Sequence, residues 1–324
     1  MADASGGFLL YTGAGQMGGP LPGGRKETMN TATAMPQTTS PAAGWKTVAQ
    51  RLGLFTLFLI CGLLVFVFGL DYHSRFWTNS SGAFKVGVSA LFLVATLALR
   101  RSERGRPYWP MAFAFLAASL TNVSTWYLAA PLQRWLWNLT GVGVETPPGL
   151  MLGKLVDVAL RLAPIFVALW LVHDGLGSVY VRRGQLKWSL TVGGLALANL
   201  LATSIAVAAG RDADLATVLA DLPWWFTFSL MNAFMEEIWY RGLFLKRLEP
   251  ALGATGVIWL TTLLFGTSHL FATYIEPSGI LVFGVITLTM GFAWGLLMQK
   301  TNTLWGSVLF HLAGDMYWLI AFGI

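Results

Sequence analysis

Charge is scarce in this chain of 324 residues, of which only 11% are Asp, Glu, Lys or Arg and 55% are hydrophobic. A soluble domain averages about 25% charged residues, and a soluble fold of this composition would need several buried helices with almost no polar faces. The mean hydropathy is +0.62, and apolar runs of about twenty residues recur along the chain, as is typical of a polytopic membrane protein.

Cysteine is also nearly absent, because Cys61 is the single one, so no intrachain disulfide can form and the redox compartment is not defined. The first 48 residues are rich in Gly, Thr, Ala and Pro without apolar periodicity, which predicts a disordered tail. The chain begins without a basic segment ahead of its first short apolar run, so it does not resemble a cleaved signal peptide.

The remaining residues contain apolar segments that predict an all-α membrane helix bundle of about nine transmembrane helices, with eight as the alternative. They are Leu52–Leu70, Gly82–Leu99, Tyr108–Leu132, Leu150–His173, Trp188–Ala209, Pro223–Leu245, Ala251–Phe271, Ser278–Gln299 and Thr303–Phe322. The fourth is interrupted by Lys154, Asp157 and Arg161, whose spacing puts them on one helical face. Ion pairing among the three is favoured over a cavity-facing role.

The basic residues are distributed unevenly between the loops. If alternate loops share a side, fourteen Lys and Arg lie on the side of the N-terminus and three on the other. By the positive-inside rule this predicts a cytoplasmic N-terminus and a C-terminus on the opposite face. We therefore interpret the net charge of +6 as a sign of topology and anionic lipid contact, not of nucleic-acid binding.

The sixth segment, FTFSLMNAFMEEIWYRGLFL, keeps three ionisable residues at membrane depth, Glu236, Glu237 and Arg241. Such residues cost on the order of 2.5 kcal/mol or more each to insert, so they are usually functional. Helical spacing predicts an ion pair between Glu237 and Arg241, while Glu236 points elsewhere, on the face of Asn232 and Tyr240. An unpaired carboxylate in an apolar site suits general acid or base chemistry; a structural polar cluster is the alternative.

Two histidines lie in later apolar segments, His269 in LLFGTSHLF and His311 in GSVLFHLAGDMYW. His311 and Asp315 are four residues apart and share a face, which suits either orientation of the imidazole by the carboxylate or binding of a metal. Neither an H-E-x-x-H nor a G-x-S-x-G motif is present. Without a recognisable Ser or Cys nucleophile, these groups favour activation of water.

These residues form three motifs on successive segments, E-E-x-x-x-R, F-x-x-x-H and H-x-x-x-D, made of Glu236, Glu237, Arg241, Phe265, His269, His311 and Asp315. In this order and setting they resemble the CPBP family, the CAAX protease and bacteriocin-processing family of intramembrane proteases, which includes type II CAAX prenyl endopeptidases and abortive-infection proteins. The resemblance covers roughly residues 185–324. It divides the chain into a tail (1–48), accessory transmembrane helices (49–184) and a catalytic core (185–324).

The resemblance implies an endopeptidase that acts on a membrane-associated peptide or protein. Glu236 and His269 would activate the water, and His311 and Asp315 would stabilise the oxyanion. Glu237 and Arg241, with Asn232 and Phe265, would support them. Members of the family include enzymes described as metal-free and as metalloproteases; in the second case Glu236, His269 and His311 could hold a divalent metal such as zinc.

Two features depart from that expectation. The last motif position is often Asn in the family but is Asp315 here, and an ionised Asp cannot donate a hydrogen bond to an oxyanion. Moreover, the segment ends drawn above separate Glu236 from His269 by roughly 15 Å of membrane depth. Either the seventh segment starts deeper or a helix is broken, and the glycines at 253, 256 and 266 would permit a break.

Two other functions remain open on the sequence. A non-catalytic binding or immunity scaffold of the same family would keep the polar cavity without the reaction. A transporter would also use buried ionisable residues, although the absence of an internal repeat argues against it. The expected partners are membrane lipids and the peptide or protein substrate, in a bacterial inner membrane if the source is bacterial. No oligomeric state follows from the sequence.

Overall fold

The computed structural model of the protein describes residues 45–70, 81–270 and 277–322. Over these residues the chain forms nine α-helices and no strand, which confirms the predicted all-α architecture. They are α1 (Trp45–Phe66), α2 (Gly82–Arg101), α3 (Trp109–Thr140), α4 (Pro147–Leu171), α5 (Leu186–Gly210), α6 (Leu215–Glu236), α7 (Leu245–His269), α8 (Pro277–Thr301) and α9 (Trp305–Phe322). Most of the predicted disordered tail lies outside the described residues.

Six helices in this part of the chain are long and apolar enough to cross a membrane, namely α1, α2, α3, α5, α7 and α8. The protein is therefore an integral, multi-pass membrane protein. Helices α4, α6 and α9 fall short of the same criteria, and these are the helices that carry Lys154, Glu236 and His311. Their polar side chains face one another inside the bundle, as described below.

Helix α3 is longer than its predicted segment, Tyr108–Leu132, whose end was drawn just after Pro131. Pro131 lies inside the helix, and α3 continues to Thr140. The prediction was wrong because a proline removes one backbone hydrogen bond without always ending a helix, and long membrane helices tolerate this loss.

The start of α6 is fixed by a side-chain cap. Asp214 accepts a hydrogen bond from the backbone N–H of Ala216 at 3.0 Å and another from the Thr217 hydroxyl at 2.7 Å. The bond from Thr217, followed by those from the backbone, lowers the pKa of Asp214 below its ordinary value. A capping carboxylate of this kind satisfies the first amides of a helix, and it fixes the end of α6 opposite to the glutamates.

The connection from α6 to α7 brings distant residues to one level. A π-helical turn, Glu237–Gly242, follows α6 directly, and α7 contains a break at Gly253, where φ is 76° and ψ is 165°. Seventeen residues separate Glu236 from Gly253 and sixteen separate Gly253 from His269, so a reversal there returns the chain to its starting depth. The predicted segments placed this reversal too early, between the end of the sixth at 245 and the start of the seventh at 251. With the reversal at Gly253, Glu236 and His269 lie at the same depth, and the expected mismatch between them disappears.

Helix α9 packs against α5, α6 and α8, while α6 also packs against α4. Small residues allow α5 and α9 to approach closely, as in many membrane helix pairs. A Cβ atom on Gly193 would lie only 2.5 Å from the carbonyl oxygen of Gly306. Ser189 also accepts a hydrogen bond from the backbone N–H of Gly306 at 2.8 Å, which fixes the start of α9 and hence the height of His311.

Candidate active site

Five ionisable side chains predicted for the site meet in the interior of the bundle. Glu236 ends α6, Glu237 begins the π-helical turn, His269 ends α7, and His311 and Asp315 lie one turn apart on α9. Both adjacent glutamates reach His311, at the junction where α6 passes into the π-helical turn. The convergence of three elements that are separate in sequence defines the candidate site.

Glu237 is fully buried and holds the centre of this cluster. Its Oε1 atom lies 2.6 Å from Arg241 Nη1 and 2.9 Å from His311 Nδ1. The first contact is the ion pair predicted from helical spacing. The second engages Nδ1 of the imidazole as a donor to a carboxylate, so that Nε2 is left to face the remaining acids.

Arg241 is fully buried as well, and besides Glu237 its guanidinium contacts a backbone carbonyl oxygen and two aromatic rings. Its Nε donates to the backbone oxygen of Gly291 at 3.3 Å. The guanidinium carbon lies 4.7 Å from the centre of the Phe265 ring and 5.2 Å from that of Trp294, within the range of cation–π attraction. These contacts tie the π-helical turn to α7 and α8.

Glu236 has a different environment from its neighbour. Its Oε2 atom lies 3.5 Å from His311 Nε2 and 3.8 Å from His269 Nε2. Both separations exceed a direct hydrogen bond, and this buried oxygen has no hydrogen-bond partner among the described residues. A carboxylate oxygen with unused acceptor capacity therefore points between two imidazole nitrogens.

His269 is oriented by its own helix. Its Nδ1 lies 2.8 Å from the backbone oxygen of Phe265 and 3.1 Å from the Ser268 hydroxyl. Because a carbonyl oxygen can only accept, Nδ1 carries a hydrogen, and Nε2 is the nitrogen that faces Glu236. The Tyr240 hydroxyl donates to Ser268 Oγ at 2.8 Å, which links the π-helical turn to this end of α7.

Aromatic packing holds the imidazole ring of His311 in one orientation. It stacks on Trp294 with ring centres 3.9 Å apart and an angle of 11° between the planes. Phe265 meets the same imidazole edge-on at 5.6 Å. Together with the bond from Nδ1 to Glu237, these contacts leave the ring little freedom to rotate.

Asp315 acts as a hydrogen-bond acceptor in this arrangement. Its Oδ1 lies 3.6 Å from His311 Nε2, and its Oδ2 accepts a hydrogen bond from Asn232 Nδ2 at 2.9 Å. Asn232 in turn accepts from Lys154 Nζ at 3.0 Å. The carboxylate is thus placed to orient His311, which is one of the roles that its departure from the family pattern left open.

A cavity of about 330 Å³ opens beside these groups. His269, His311 and Asp315 line one side, and mostly apolar side chains of α5, α8 and α9 line the rest. Pockets that bind small apolar groups have this construction, with a few convergent polar groups in an apolar wall.

Glu236, His269 and His311 were also the predicted ligands of a divalent metal. Among the residues described, no set of three His, Cys, Asp or Glu side chains has the arrangement that would hold a metal ion. The metal assignment stays a prediction, and the chemistry below is derived from the side chains alone.

Several contacts at the site escaped sequence reasoning. Trp294, the Gly291 carbonyl and Ser268 carry no charge and sit in apolar segments, so no sequence signal distinguishes them from packing residues. For Lys154 there was a signal, its place on one face with Asp157 and Arg161. The expected pairing is confirmed by distances of 3.6 Å and 2.9 Å from Asp157 to the two cations, but the contact of Lys154 with Asn232 was not foreseen.

The site lies within a part of the chain that matches a known family model. Residues 218–317 match the family model described as "Type II CAAX prenyl endopeptidase Rce1-like". The matched residues include all five ionisable groups of the site together with Asn232, Arg241 and Phe265. No curated protein and no solved structure gives a significant match to the chain. This match over residues 218–317 supports the resemblance of the chain to the CPBP family of CAAX-type intramembrane proteases.

Proposed function

We propose that the protein is an intramembrane endopeptidase in which Glu236 activates a water molecule. The observation that carries this proposal is the buried Oε2 atom of Glu236, which lacks a hydrogen-bond partner among the described residues and faces the Nε2 atoms of His269 and His311. A polar atom is costly to bury without a partner, so its placement favours a ligand or reactant at this point.

The distances suit a water molecule held between these groups. Oε2 lies 3.5 Å and 3.8 Å from the two imidazole nitrogens, and a water molecule placed beside these three atoms would supply the hydrogen-bond partner that Oε2 lacks. Glu236 takes one proton from the water, and the oxygen of the water attacks the scissile carbonyl carbon. The tetrahedral intermediate then breaks its carbon–nitrogen bond as the proton passes to the leaving amine, which yields a carboxylic acid and an amine.

The two histidines have related but separate roles in this proposal. His269, whose Nδ1–H is held by the Phe265 carbonyl, accepts a hydrogen bond from the attacking water at Nε2. His311 faces the same space and, as an imidazolium that is protonated on both nitrogens before the reaction and held beside Glu237 and Asp315, donates from Nε2 to the developing oxyanion. Glu237, Asp315 and Trp294 act by fixing the orientation of His311.

The cavity indicates the class of substrate. Its mostly apolar wall next to His269 suits an apolar or lipidated residue of a peptide that lies in or on the membrane. The matching family is named for prenyl endopeptidases, so a prenylated CAAX peptide is the first reporter to test. Leader peptides and membrane proteins are further candidates, which a quenched peptide library samples.

The decisive comparison is between the wild type, Glu236→Gln and Glu145→Gln, each purified in detergent and assayed with both reporters. Glu145 lies in an exposed loop and provides the matched control. We expect the wild type and the control to cleave alike and Glu236→Gln to lose about 100-fold or more in kcat. Unchanged cleavage by Glu236→Gln would remove the proposed base and, with it, this mechanism.

A chelator added to the same assay tests metal dependence. Because the proposed mechanism uses protein side chains alone, we expect the cleavage rate to stay unchanged after treatment. If the cleavage rate fell and added zinc restored it, Glu236, His269 and His311 would instead be assigned as ligands of the metal. A cellular phenotype that survives substitution of Glu236, His269 and His311 would favour the non-catalytic scaffold.

A further inference from the structure

A chain of polar contacts connects the site to α4, which lies outside the family-matched residues 218–317. Lys154 Nζ donates to Asn232 Oδ1 at 3.0 Å, and Asn232 Nδ2 donates to Asp315 Oδ2 at 2.9 Å. Asp315 then lies 3.6 Å from His311 Nε2. Helix α4 therefore reaches the imidazole through two intermediate side chains.

The amide of Asn232 can take only one orientation in this chain. A lysine ammonium has donors but no acceptor, whereas an ionised carboxylate has acceptors but no donor. Only with its oxygen toward Lys154 and its nitrogen toward Asp315 does Asn232 satisfy both. Lys154 thus determines which way the amide points, and the amide in turn places Asp315.

The charges at the site also call for a cation from outside the matched residues. Glu236, Glu237 and Asp315 bring three carboxylates, and Arg241 is the one permanently charged cation among the site residues described above. On α4, Lys154 and Arg161 flank a single acid, Asp157, at 3.6 Å and 2.9 Å, so this group carries one net positive charge. In a low-dielectric interior such compensation matters more than at a surface.

The side chain of Lys154 is also held in place by its surroundings, so that its ammonium stays beside Asn232. Its side chain is only 15% exposed, and its ammonium lies 5.0 Å from the centre of the Phe228 ring on α6. Both partners on α6, Phe228 and Asn232, are four residues apart and so share one face. The lysine is thereby fixed along the same side of α6 that leads to Glu236.

We infer that Lys154 is a positioning residue of the catalytic site, which acts through Asn232 to orient Asp315 against His311. This inference rests on the proposed endopeptidase function. It gives the segment 49–184 a direct part in the reaction, because the matched residues alone lack this cation. Substrate binding in the cavity does not involve Lys154, which is not among its lining residues, so its loss should affect kcat and not KM.

The test compares Lys154→Met and Lys154→Arg with the wild type on whichever of the two reporters, the prenylated CAAX peptide or the quenched library, the wild type cleaves. Removing one partner from a buried hydrogen-bonded chain should lower kcat about tenfold or more, with KM changed by less than about twofold. Lys154→Arg keeps the donor and the charge and should retain most of kcat. Lys85→Met is the matched control, since Lys85 is a buried lysine on α2 over Trp126.

A double-mutant cycle separates positioning from general damage. If Lys154 acts through Asn232, Lys154→Met should have little further effect on kcat in an Asn232→Leu background. Thermal unfolding of the same four proteins gives a coupling that needs no substrate. A wild-type kcat in Lys154→Met, an equal loss in Lys85→Met, a loss confined to KM, or additive effects in the cycle would each overturn the inference.

These outcomes differ from a failure of the proposed function. If Glu236→Gln cleaves as well as the wild type, the endopeptidase mechanism fails whatever Lys154 does. If Glu236→Gln is inactive and Lys154→Met is not, only the positioning role fails. Should the wild type cleave neither reporter, additive unfolding effects of Lys154→Met and Asn232→Leu would still refute the contact on which the inference depends.

Discussion

Glu236 and Glu237 are adjacent in the chain but play opposite parts in the site. Glu237 is fully buried, and its Oε1 is bound by both Arg241 and His311. Glu236 keeps 12% of its side chain exposed and directs an oxygen without a hydrogen-bond partner in the described structure toward two imidazoles. Glu237 Oε2 also has no hydrogen-bond partner among the described residues, but Glu237 is fully buried, so Glu236 is the carboxylate that a reactant can reach.

The ion pair of Glu237 with Arg241 should be needed for both stability and activity, for different reasons. Replacing either residue alone, as in Glu237→Leu or Arg241→Met, leaves a buried charge without its partner, which typically costs 3–5 kcal/mol. We expect each single variant to be strongly destabilised when unfolding is followed in detergent by circular dichroism.

The double variant Glu237→Leu/Arg241→Met separates the two effects. With both charges removed, we expect it to be more stable than either single variant. It should nevertheless stay inactive, because His311 Nδ1 then lacks the carboxylate at 2.9 Å that orients it. Recovery of activity along with stability would show that Glu237 has no part in orienting the imidazole.

Trp294 should be important to the reaction although it is apolar and carries no obvious signal. Its ring stacks on His311 at 3.9 Å, and such aromatic pairs contribute about 0.5–1.5 kcal/mol beyond the buried area. We expect Trp294→Leu to lower kcat several-fold. Since its indole nitrogen has no hydrogen-bond partner among the described residues, Trp294→Phe should keep much of the activity.

The matched control for this prediction is Trp259→Leu. Trp259 is 47% exposed and packs against Phe292 at 4.7 Å, away from His311. Steady-state rates of the three variants should leave Trp259→Leu at the wild-type level. Equal losses in Trp294→Leu and Trp259→Leu would indicate a general effect of removing a tryptophan from α7 or α8.

The break in α7 should depend on glycine at one position. At Gly253, φ is 76° and ψ is 165°, a region that is nearly closed to other residues, with a cost of about 1–3 kcal/mol. We expect Gly253→Ala to lower the melting temperature and the activity, because the reversal there sets the depth of His269. Gly194→Ala, at a helical site where a Cβ meets no atom within 4 Å, should leave both unchanged or raise the stability.

The orientation in the membrane stays a prediction from the distribution of basic residues, and the single cysteine makes it simple to test. In a Cys61→Ala background, Glu103→Cys and Glu145→Cys place one thiol in each of two successive exposed loops. We expect a membrane-impermeant maleimide to label position 145 in intact cells and position 103 only in inverted vesicles. The reverse pattern would place the N-terminus outside.

Short-range relationships at the site were accessible from the sequence because helical geometry fixes them. The spacing of four residues predicted that Glu237 would pair with Arg241, and it placed His311 and Asp315 on one face. It also separated Glu236 from the ion pair. None of these relations required knowledge of how the helices pack, since each lies within a single element.

Relations between helices were not accessible in the same way. The reversal between α6 and α7 was drawn between residues 245 and 251, whereas the structure breaks the helix at Gly253. Hydropathy averages over many residues and cannot locate a single backbone torsion. The stacking of Trp294 on His311 and the path from Lys154 to Asp315 depend on which faces of α4, α8 and α9 meet, and apolar residues on those faces look alike in the sequence.

By itself, the sequence determined the class of the protein and the chemical groups of its site. An apolar composition with a few ionisable residues at helical spacing fixes a membrane helix bundle and its local pairs, because the cost of burying charge applies to any arrangement of the helices. Only the tertiary structure decided which of two adjacent carboxylates binds both Arg241 and His311, and which lysine compensates Asp315. Those outcomes follow from distances between side chains of separate helices, which are set by packing and by one glycine torsion.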